Sequence, residues 1–486
     1  MMRRTRLVTA AIAALAMALC TAPAMAQDDA FDEDALFGSD EDLIEVVEET
    51  SADDAVVSLL VTDQVRIGGS FAGKADFSWR WNDPWSGGLG PMDSYGLSPS
   101  LGTTLFFDAR PTDGARFLGS VKASWPFETT KTFLTGATYS GTPSPHVTTT
   151  ADSIKQVNLS IFELFSDFDW NDAAYFRFGK QTVTWGVGYF FSPADVLNLA
   201  AIDPESPGAQ REGPVTLRAN VPLPGGQHNL WAYAVFDSAS MKPEDTAVAA
   251  KAEFVLGGWE LGAGGWYRRD SPLRGMLTAV GSIGDVTLFG EATASRGSDR
   301  SWVTQVAFNL PGFVTMEEDD SSAFFKATAG FMYNDADLDL TLAAQYLYDG
   351  EGYADADREA RIEEARANET AIKNALTLAG VADTDAAFSG FLKGLIYGSG
   401  RHYAAAMLSK SSLFVDELSA NLFAMVNLSD FSGYVRPSLS YRPFDGCAVS
   451  LGALFVFGSD DSEYIVLNDG PAMAVSLGVT LGSGVF

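Results

Sequence analysis

The chain has 486 residues, of which 47% are hydrophobic and 12% aromatic, and its formal net charge is −31. Such acidity argues against a nucleic-acid-binding function. Only two cysteines occur, and Cys20 lies inside a predicted export signal. The exported chain would keep Cys447 alone, which excludes an intramolecular disulfide.

Residues 1–26 have the features of a signal peptide. Arg3, Arg4 and Arg6 precede an apolar run over residues 7–19, and Ala26 closes a small-residue cleavage site. The run is too short for a permanent membrane helix. Removal of these three basic residues would take the net charge from −31 to −34.

Residues 27–58 are predicted to form an acidic periplasmic linker. Residues 27–54 contain 13 acids and neither Lys nor Arg, a composition typical of a solvated, disordered segment. Calcium binding or docking to a periplasmic partner are the alternatives. The acids do not follow EF-hand spacing.

Residues 59–486 show apolar and polar residues in alternation, beginning at residues 64–82. Ile67, Phe71 and Phe77 would lie on one face of a strand, with Lys74 and Asp76 on the other. The strand is longer than most globular strands. The pattern recurs in about eighteen segments, with sixteen as the alternative count, near residues 64–82, 98–110, 115–127, 154–166, 174–183, 215–223, 228–237, 247–256, 258–268, 274–283, 285–295, 323–333, 337–348, 402–411, 416–427, 432–443, 446–457 and 471–482.

The connections between these segments broadly alternate between long and short. Residues 83–97, 128–153 and 184–214 form long connections, whereas residues 111–114 and 224–227 form short ones. Bacterial membrane barrels have short periplasmic turns and longer outer loops. The sequence therefore predicts an all-β fold, a transmembrane antiparallel up-and-down β-barrel.

Three positions depart from regular alternation. Glu163 shares parity with apolar residues of the fourth strand, which predicts a β-bulge or a misplaced strand end. Pro437 interrupts a strand that has no free edge, which predicts a β-bulge. The terminal Phe486 resembles the end of many outer-membrane barrels, although its parity differs from that of the preceding apolar residues.

A helical insert is predicted within residues 355–400, in a late outer loop. Helix formers fill residues 355–379, Gly380 provides a stop signal, and a second apolar segment follows at 386–397. The insert would form an outer lid, or a mobile loop without a role in transport.

The third long connection is too apolar to extend into water, so we expect it to fold into the lumen. Ser192 and Pro193 predict a short helix that begins there and continues through Asn198. The candidate residues of this constriction either tether the loop or contact solute, and they are Lys180, Gln181, Trp185, Asp195, Asn198, Arg211, Glu212 and Arg218.

Residues 176–218 resemble outer-membrane porins of the alginate-export type and related porin-like barrels of unassigned substrate. The resemblance lies in Gly179-Lys180-Gln181, Trp185-Gly186, "FSPADVLN" and "REGPVTLR". It implies a large monomeric channel-type barrel and fixes no substrate. Lys180 stands where the family has Arg, and loss of the bidentate fork weakens the inference to an acidic-polysaccharide exporter.

Basic residues are concentrated at positions predicted to face the lumen. Apart from Arg218, these are Arg66, Lys74, Arg80, Arg110, Arg116, Lys122, Lys251, Lys326, Arg436 and Arg442. The acids predicted there are Asp76, Asp108, Glu253, Glu260, Glu291, Asp337 and Asp339. This excess predicts mild anion selectivity, and a mixed, salt-bridged wall is the alternative.

These patterns predict an outer-membrane channel for passive passage of small hydrophilic solutes, anions among them. The alternatives are a plugged structural or adhesive barrel and a fatty-acid-type transporter. Neither His146 nor His228 has a nearby serine in a nucleophile-elbow context, and His402 precedes a strand in which it could face either way, so no enzymatic activity is expected. No cofactor or metal site is predicted. The expected partners are outer-membrane lipid, the solutes and the barrel-assembly machinery, and the barrel is expected to be monomeric.

Overall fold

The computed structural model describes residues 65–82, 84, 90–112, 114–140, 146–199, 201–236, 242–309, 312–378 and 383–485. The predicted signal peptide, the acidic linker, Gly380 and Phe486 lie outside the described residues. Within the described ranges, no helix has the length and apolar character needed to cross a membrane.

Eighteen antiparallel strands form one closed sheet, in which the first strand pairs with both the second strand and the last. The eighteen segments predicted from alternation are all present, and the barrel prediction is confirmed. The barrel strands are β1 (Val65–Asn82), β2 (Ser94–Thr112), β3 (Ala115–Ser140), β4 (His146–Trp170), β5 (Ala174–Lys180), β6 (Val215–Leu223), β7 (His228–Phe236), β8 (Ala247–Leu256), β9 (Trp259–Tyr267), β10 (Leu273–Ile283), β11 (Val286–Arg296), β14 (Ala323–Asp335), β15 (Leu340–Asp349), β16 (His402–Lys410), β17 (Leu418–Asn427), β18 (Ser432–Phe444), β19 (Cys447–Phe457) and β20 (Ala472–Val485).

Alternation places apolar side chains on the outer face of the barrel. Phe77 of β1 pairs with Leu97 of β2 and Leu477 of β20, and directly paired residues share a face. Phe77 and Leu97 are exposed, as are Leu277 and Leu422 on other strands. These apolar side chains are removed from water only if the outer face of the barrel lies in a non-aqueous environment.

The two rims of the barrel differ in the length of their connections. Short turns such as residues 224–227 and 284–285 form one rim, and long loops such as residues 181–214 and 350–401 form the other. The second long connection was predicted as a loop over residues 128–153. It is instead mostly strand, because β3 and β4 continue as a paired hairpin up to Ser140 and His146.

The fourth strand contains the predicted bulge. Ser120 pairs with Glu163 and Val121 with Ile161, so Phe162 is the extra residue and Glu163 turns inward and is buried. The bulge predicted at Pro437 is wrong, since the register between β18 and β19 is the same on both sides of it. Asp337 and Asp339 were assigned to the lumen, but they are exposed in a turn before β15.

Helices and a small hairpin form a cap on the long-loop rim. The hairpin comprises β12 (Ser301–Asn309) and β13 (Gly312–Glu318), and the helices are α1 (Asp355–Ala367), α2 (Glu369–Leu378), α3 (Thr384–Ile396) and α4 (Glu463–Leu467). A 3-10 turn, Pro243–Asp245, lies elsewhere on this rim. Val306, Ile372, Phe388 and Leu392 form a shared core between hairpin and helices. The predicted helical insert is therefore a packed domain-like element.

Candidate functional site

Loop 3, residues 181–214, folds inward and packs along the inner wall. Trp185, Ala194 and Leu197 of the loop are buried in one apolar cluster with Tyr233 of β7 and Trp266 of β9. Trp185 and Tyr233 contact edge to face, with ring centroids 5.1 Å apart. Aromatic and aliphatic loop residues thus find their burial against the wall, as their composition predicted.

A second cluster extends the contact to strands farther around the barrel. Phe190 is buried with Phe289 of β11, Met332 of β14 and Phe423 of β17. Its ring lies 5.8 Å from that of Phe423. Loop 3 therefore begins at the end of β5 and packs along the inner face of the wall as far as β17.

Glu291 of β11 is the main polar anchor of loop 3. Its carboxylate accepts hydrogen bonds from the backbone N–H groups of Val187 at 2.5 Å, Gly188 at 2.6 Å and Ala194 at 2.9 Å. The Ser192 hydroxyl donates to it at 2.9 Å. A buried carboxylate with four donors satisfies loop N–H groups that would otherwise be orphaned.

Gln345 of β15 is the second anchor, and no sequence pattern indicated it. Its side-chain oxygen accepts from the N–H groups of Tyr189, Phe190 and Phe191 at 3.1, 2.6 and 3.2 Å. Its amide donates to the Phe191 carbonyl and to the Thr328 hydroxyl, both at 2.6 Å. Its five hydrogen bonds fix the middle of the loop.

The predicted helix beginning at Ser192 is wrong. Asp195 N–H donates to the Ser192 carbonyl in a single turn, and no helix follows. The Ser192 hydroxyl faces Glu291, so it is not available to cap a helix. A Cβ at Gly186 would fall on Ser192 Oγ and Glu291 Oε1, which shows how closely the backbone approaches the anchor.

Several predicted site residues hold loop 3 in its own shape. Asn198 forms two hydrogen bonds with the backbone of Val183, one donated at 2.5 Å and one accepted at 3.0 Å. Asp195 forms an ion pair with Arg211 and accepts from the Asn198 amide. Asp195, Asn198 and Arg211 therefore act as tethers within the loop.

The remaining predicted residues lie at the loop's two ends. Lys180 pairs with Leu164 and Val215 at outward-facing positions of the wall, and its ammonium bonds Glu212 and the Ile161 carbonyl. Gln181 is fully buried and donates to the Thr216 hydroxyl at 2.6 Å. Arg218 lies over the Trp231 ring at 5.4 Å.

Many of the predicted lumen cations lie beside acids. Lys74 is 3.2 Å from Asp76, Arg116 is 2.9 Å from Asp108, and Lys251 is 2.5 Å from Glu253. Further pairs join Arg110 to Asp108, Lys326 to Asp349 and Glu351, and Arg436 to Glu205. These contacts are the mixed, salt-bridged wall of the alternative interpretation.

Four other predicted lumen cations have different surroundings. The Lys122 ammonium lies 3.3 Å from the centroid of the Phe162 ring. Arg80 bonds the Asn468 carbonyl at the long-loop rim. Arg66 and Arg442 lie near the short-turn rim, at the start of β1 and the end of β18.

Charged side chains on the wall beyond loop 3 remain open to water. Lys74 and Asp76 of β1 are inward by parity, and their side chains are 48% and 33% exposed. Arg436 of β18 is 45% exposed and forms an ion pair with Glu205, so it lies where loop 3 reaches this part of the wall. A partly exposed inward side chain requires water beside it, so this arc of the wall borders solvent.

Two histidines have defined structural contacts. His228 Nδ1 accepts from the Val255 N–H at 3.1 Å, and His402 Nδ1 is 2.6 Å from the Tyr346 hydroxyl. The side chain of His146 lies outside the described part. In the part of the chain that is described, no group of three or more His, Cys, Asp or Glu side chains is arranged to hold a metal ion.

No known protein family and no curated protein matches the sequence. Solved structures with similar barrels include OccAB1 of Acinetobacter baumannii, which is 10% identical over 87% of this chain and 97% of its own, with a TM-score of 0.43. OccK8 (OprE) of Pseudomonas aeruginosa is 10% identical over 86% and 98%, with a TM-score of 0.42. OmpT, an outer membrane protein of Vibrio cholerae, is 9% identical over 87% and 98%, with a TM-score of 0.37. The fold assignment rests on the strand pairing itself, and membership in the alginate-export type is not confirmed.

Proposed function

We propose that this protein is a channel of the bacterial outer membrane through which small hydrophilic solutes diffuse passively past loop 3. A closed barrel with an apolar outer face satisfies its backbone hydrogen bonds internally, as a membrane-spanning structure must. Eighteen strands enclose a lumen wide enough for an aqueous path.

One observation carries the proposal, the water-exposed charged arc opposite the strands that hold loop 3. Loop 3 packs against β7–β11 and β14–β17 and reaches Arg436 of β18 through Glu205, whereas Lys74 and Asp76 of β1 keep partly exposed side chains in the same lumen. The path would run between loop 3 and this arc. Because most wall cations pair with acids, the anion preference would be weak.

The hydrophobic-solute alternative rested on the apolar segment 386–397. Phe388, Leu392 and Ile396 of this segment are buried within the described cap, Phe391 and Leu395 are partly buried, and Tyr397 is exposed, so most of the segment is used for packing. The plugged structural or adhesive barrel is an outcome of the test below. A monomeric barrel inserted by the assembly machinery remains part of the proposal.

The test is single-channel conductance of the refolded protein in a planar bilayer, with reversal potentials across a salt gradient. We expect stable conductance and a reversal potential slightly biased to anions. Conductance without bias would contradict the charge assignment alone. No conductance from a correctly folded barrel would contradict the channel.

A further inference from the structure

A cavity of about 450 Å³ lies in the outer cap, between the β12–β13 hairpin, the start of β14 and helix α1. Ligand pockets generally have volumes of this order. Its lining combines an aromatic wall with acidic and basic side chains. The cavity is separate from loop 3 and from the inward-facing arc.

The aromatic wall is built from Trp302 and Phe324, whose rings stack at 5.2 Å with 18° between their planes. The indole N–H of Trp302 donates to the Glu351 carbonyl at 3.0 Å, which fixes the ring. Tyr353 accepts from the Val303 N–H at 2.7 Å, and its hydroxyl hydrogen remains free to donate. The lining is therefore rigid and amphipathic.

The polar lining carries both signs of charge. Glu317 and Asp357 are exposed, and the carboxylate of neither forms a hydrogen bond or ion pair within the described ranges. Arg401 donates from Nε to the Gly352 carbonyl at 2.9 Å, and its other guanidinium nitrogens form no hydrogen bond within the described residues. The cavity thus offers free acceptors and free donors side by side.

This combination selects against charged ligands of either sign. An anion would meet the acids Glu317, Asp319 and Asp357, and a cation would meet Arg361 and Arg401, all of which line the cavity. A neutral sugar presents hydroxyls that donate to carboxylates and accept from guanidinium groups, and an apolar C–H face that covers an aromatic ring. We infer that the cap cavity binds a neutral mono- or disaccharide at the channel's outer entrance.

The inference deepens the proposed function, because it names a solute class that would be gathered at the entrance. The probe is maltose, titrated calorimetrically into the refolded protein, with glucuronate and glucosamine as charged comparisons. The variants are Trp302→Ala and Glu317→Gln. The matched control is Glu318→Gln, the adjacent residue of β13, which does not line the cavity.

We expect millimolar binding of maltose, weakened about tenfold or more by either variant and little changed by the control. Proteolytic resistance of the cap would show that each variant is folded. The inference would be overturned if maltose gave no heat of binding, or if both variants bound maltose as tightly as the wild type. Tighter binding of glucuronate or glucosamine than of maltose would also overturn it. If the wild-type protein conducts but does not bind maltose, this inference alone is contradicted. If it binds maltose but does not conduct, the proposed channel alone is contradicted.

Discussion

Glu205 of loop 3 forms an ion pair with Arg436 of β18, at 2.7 Å. The pair joins the loop to the wall on the far side of the barrel from β5 and β6, where the loop begins and ends. Both side chains are partly exposed, so the pair contributes at most about 1 kcal/mol. Its effect would fall on the position of the loop rather than on the fold.

Glu205→Gln is therefore expected to increase single-channel conductance and its fluctuations without lowering barrel stability. Removal of the negative partner leaves Arg436 unpaired beside the path, so the reversal potential should shift towards anions. The matched control is Glu244→Gln, which removes an exposed acid beside Arg269 in another loop of the same rim. An equal change in both variants would contradict a specific role for Glu205.

Glu291→Gln is expected to loosen loop 3. The carboxylate accepts from three backbone N–H groups and a hydroxyl, and an amide would turn donor hydrogens towards some of them. Unsatisfied buried groups cost about 1–3 kcal/mol. Limited proteolysis within residues 181–214 should become faster, and Glu260→Gln on β9 serves as the control. Unchanged proteolysis would show that the apolar clusters and Gln345 hold the loop without Glu291.

Arg358→Met is expected to destabilise the outer cap. Arg358 of α1 and Asp430, in the loop before β18, form a buried ion pair at 2.6 Å. Removal of one partner from a buried pair costs about 3–5 kcal/mol, because the other charge stays buried. Hydrogen exchange of the α1 amides should rise sharply. Arg366→Met removes an exposed pair with Asp461 and should have little effect.

The cap is also expected to respond to pH through Glu463 of α4. Burial raises the pKa of this carboxyl above its ordinary value of 4.5, against hydrogen bonds from Gly398, Tyr403 and Asn427. The folded cap then holds the proton more tightly than the unfolded chain. The contribution of Glu463 to the stability of the cap should be greatest below pH 4.5 and should fall as pH rises from there through the raised pKa.

Hydrogen exchange of α4 measured at several pH values would reveal this dependence. Glu463→Gln, which keeps an acceptor and cannot ionise, should flatten the curve. The charged and titratable neighbours are Asp430, Arg358, Tyr403 and Tyr464. An unchanged slope in the variant would assign the effect to one of them.

Alternation predicted the strands because each has only two faces, one apolar and one polar. It also placed the irregularity at Glu163, where parity changed within one strand. Pro437 misled, because the sheet tolerates it without a shift of register. The β3–β4 extension was missed because residues 128–153 are rich in Thr, Ser and Gly and show no clear alternation.

The inward position of loop 3 was predictable from its apolar composition, but the hydrogen bonds that hold it to the wall were not. The sequence predicts that Ser192 caps a helix, but its hydroxyl donates to Glu291, about a hundred residues away. Glu291 also accepts from the nearby N–H groups that a helix cap would satisfy. Gln345 resembles any polar residue on an inner wall. Its contacts are to the backbone, which carries no signature in the sequence.

Because Glu291 and Gln345 hold loop 3 mainly through its main-chain groups, two properties of the proposed channel would be separate. Most loop 3 partners of these two side chains are peptide groups, which every residue except proline supplies in the same form. Exchange of loop side chains at the passage would therefore alter what passes while the loop stays where it is. The position of loop 3 and the solute selectivity of the proposed channel would then vary independently.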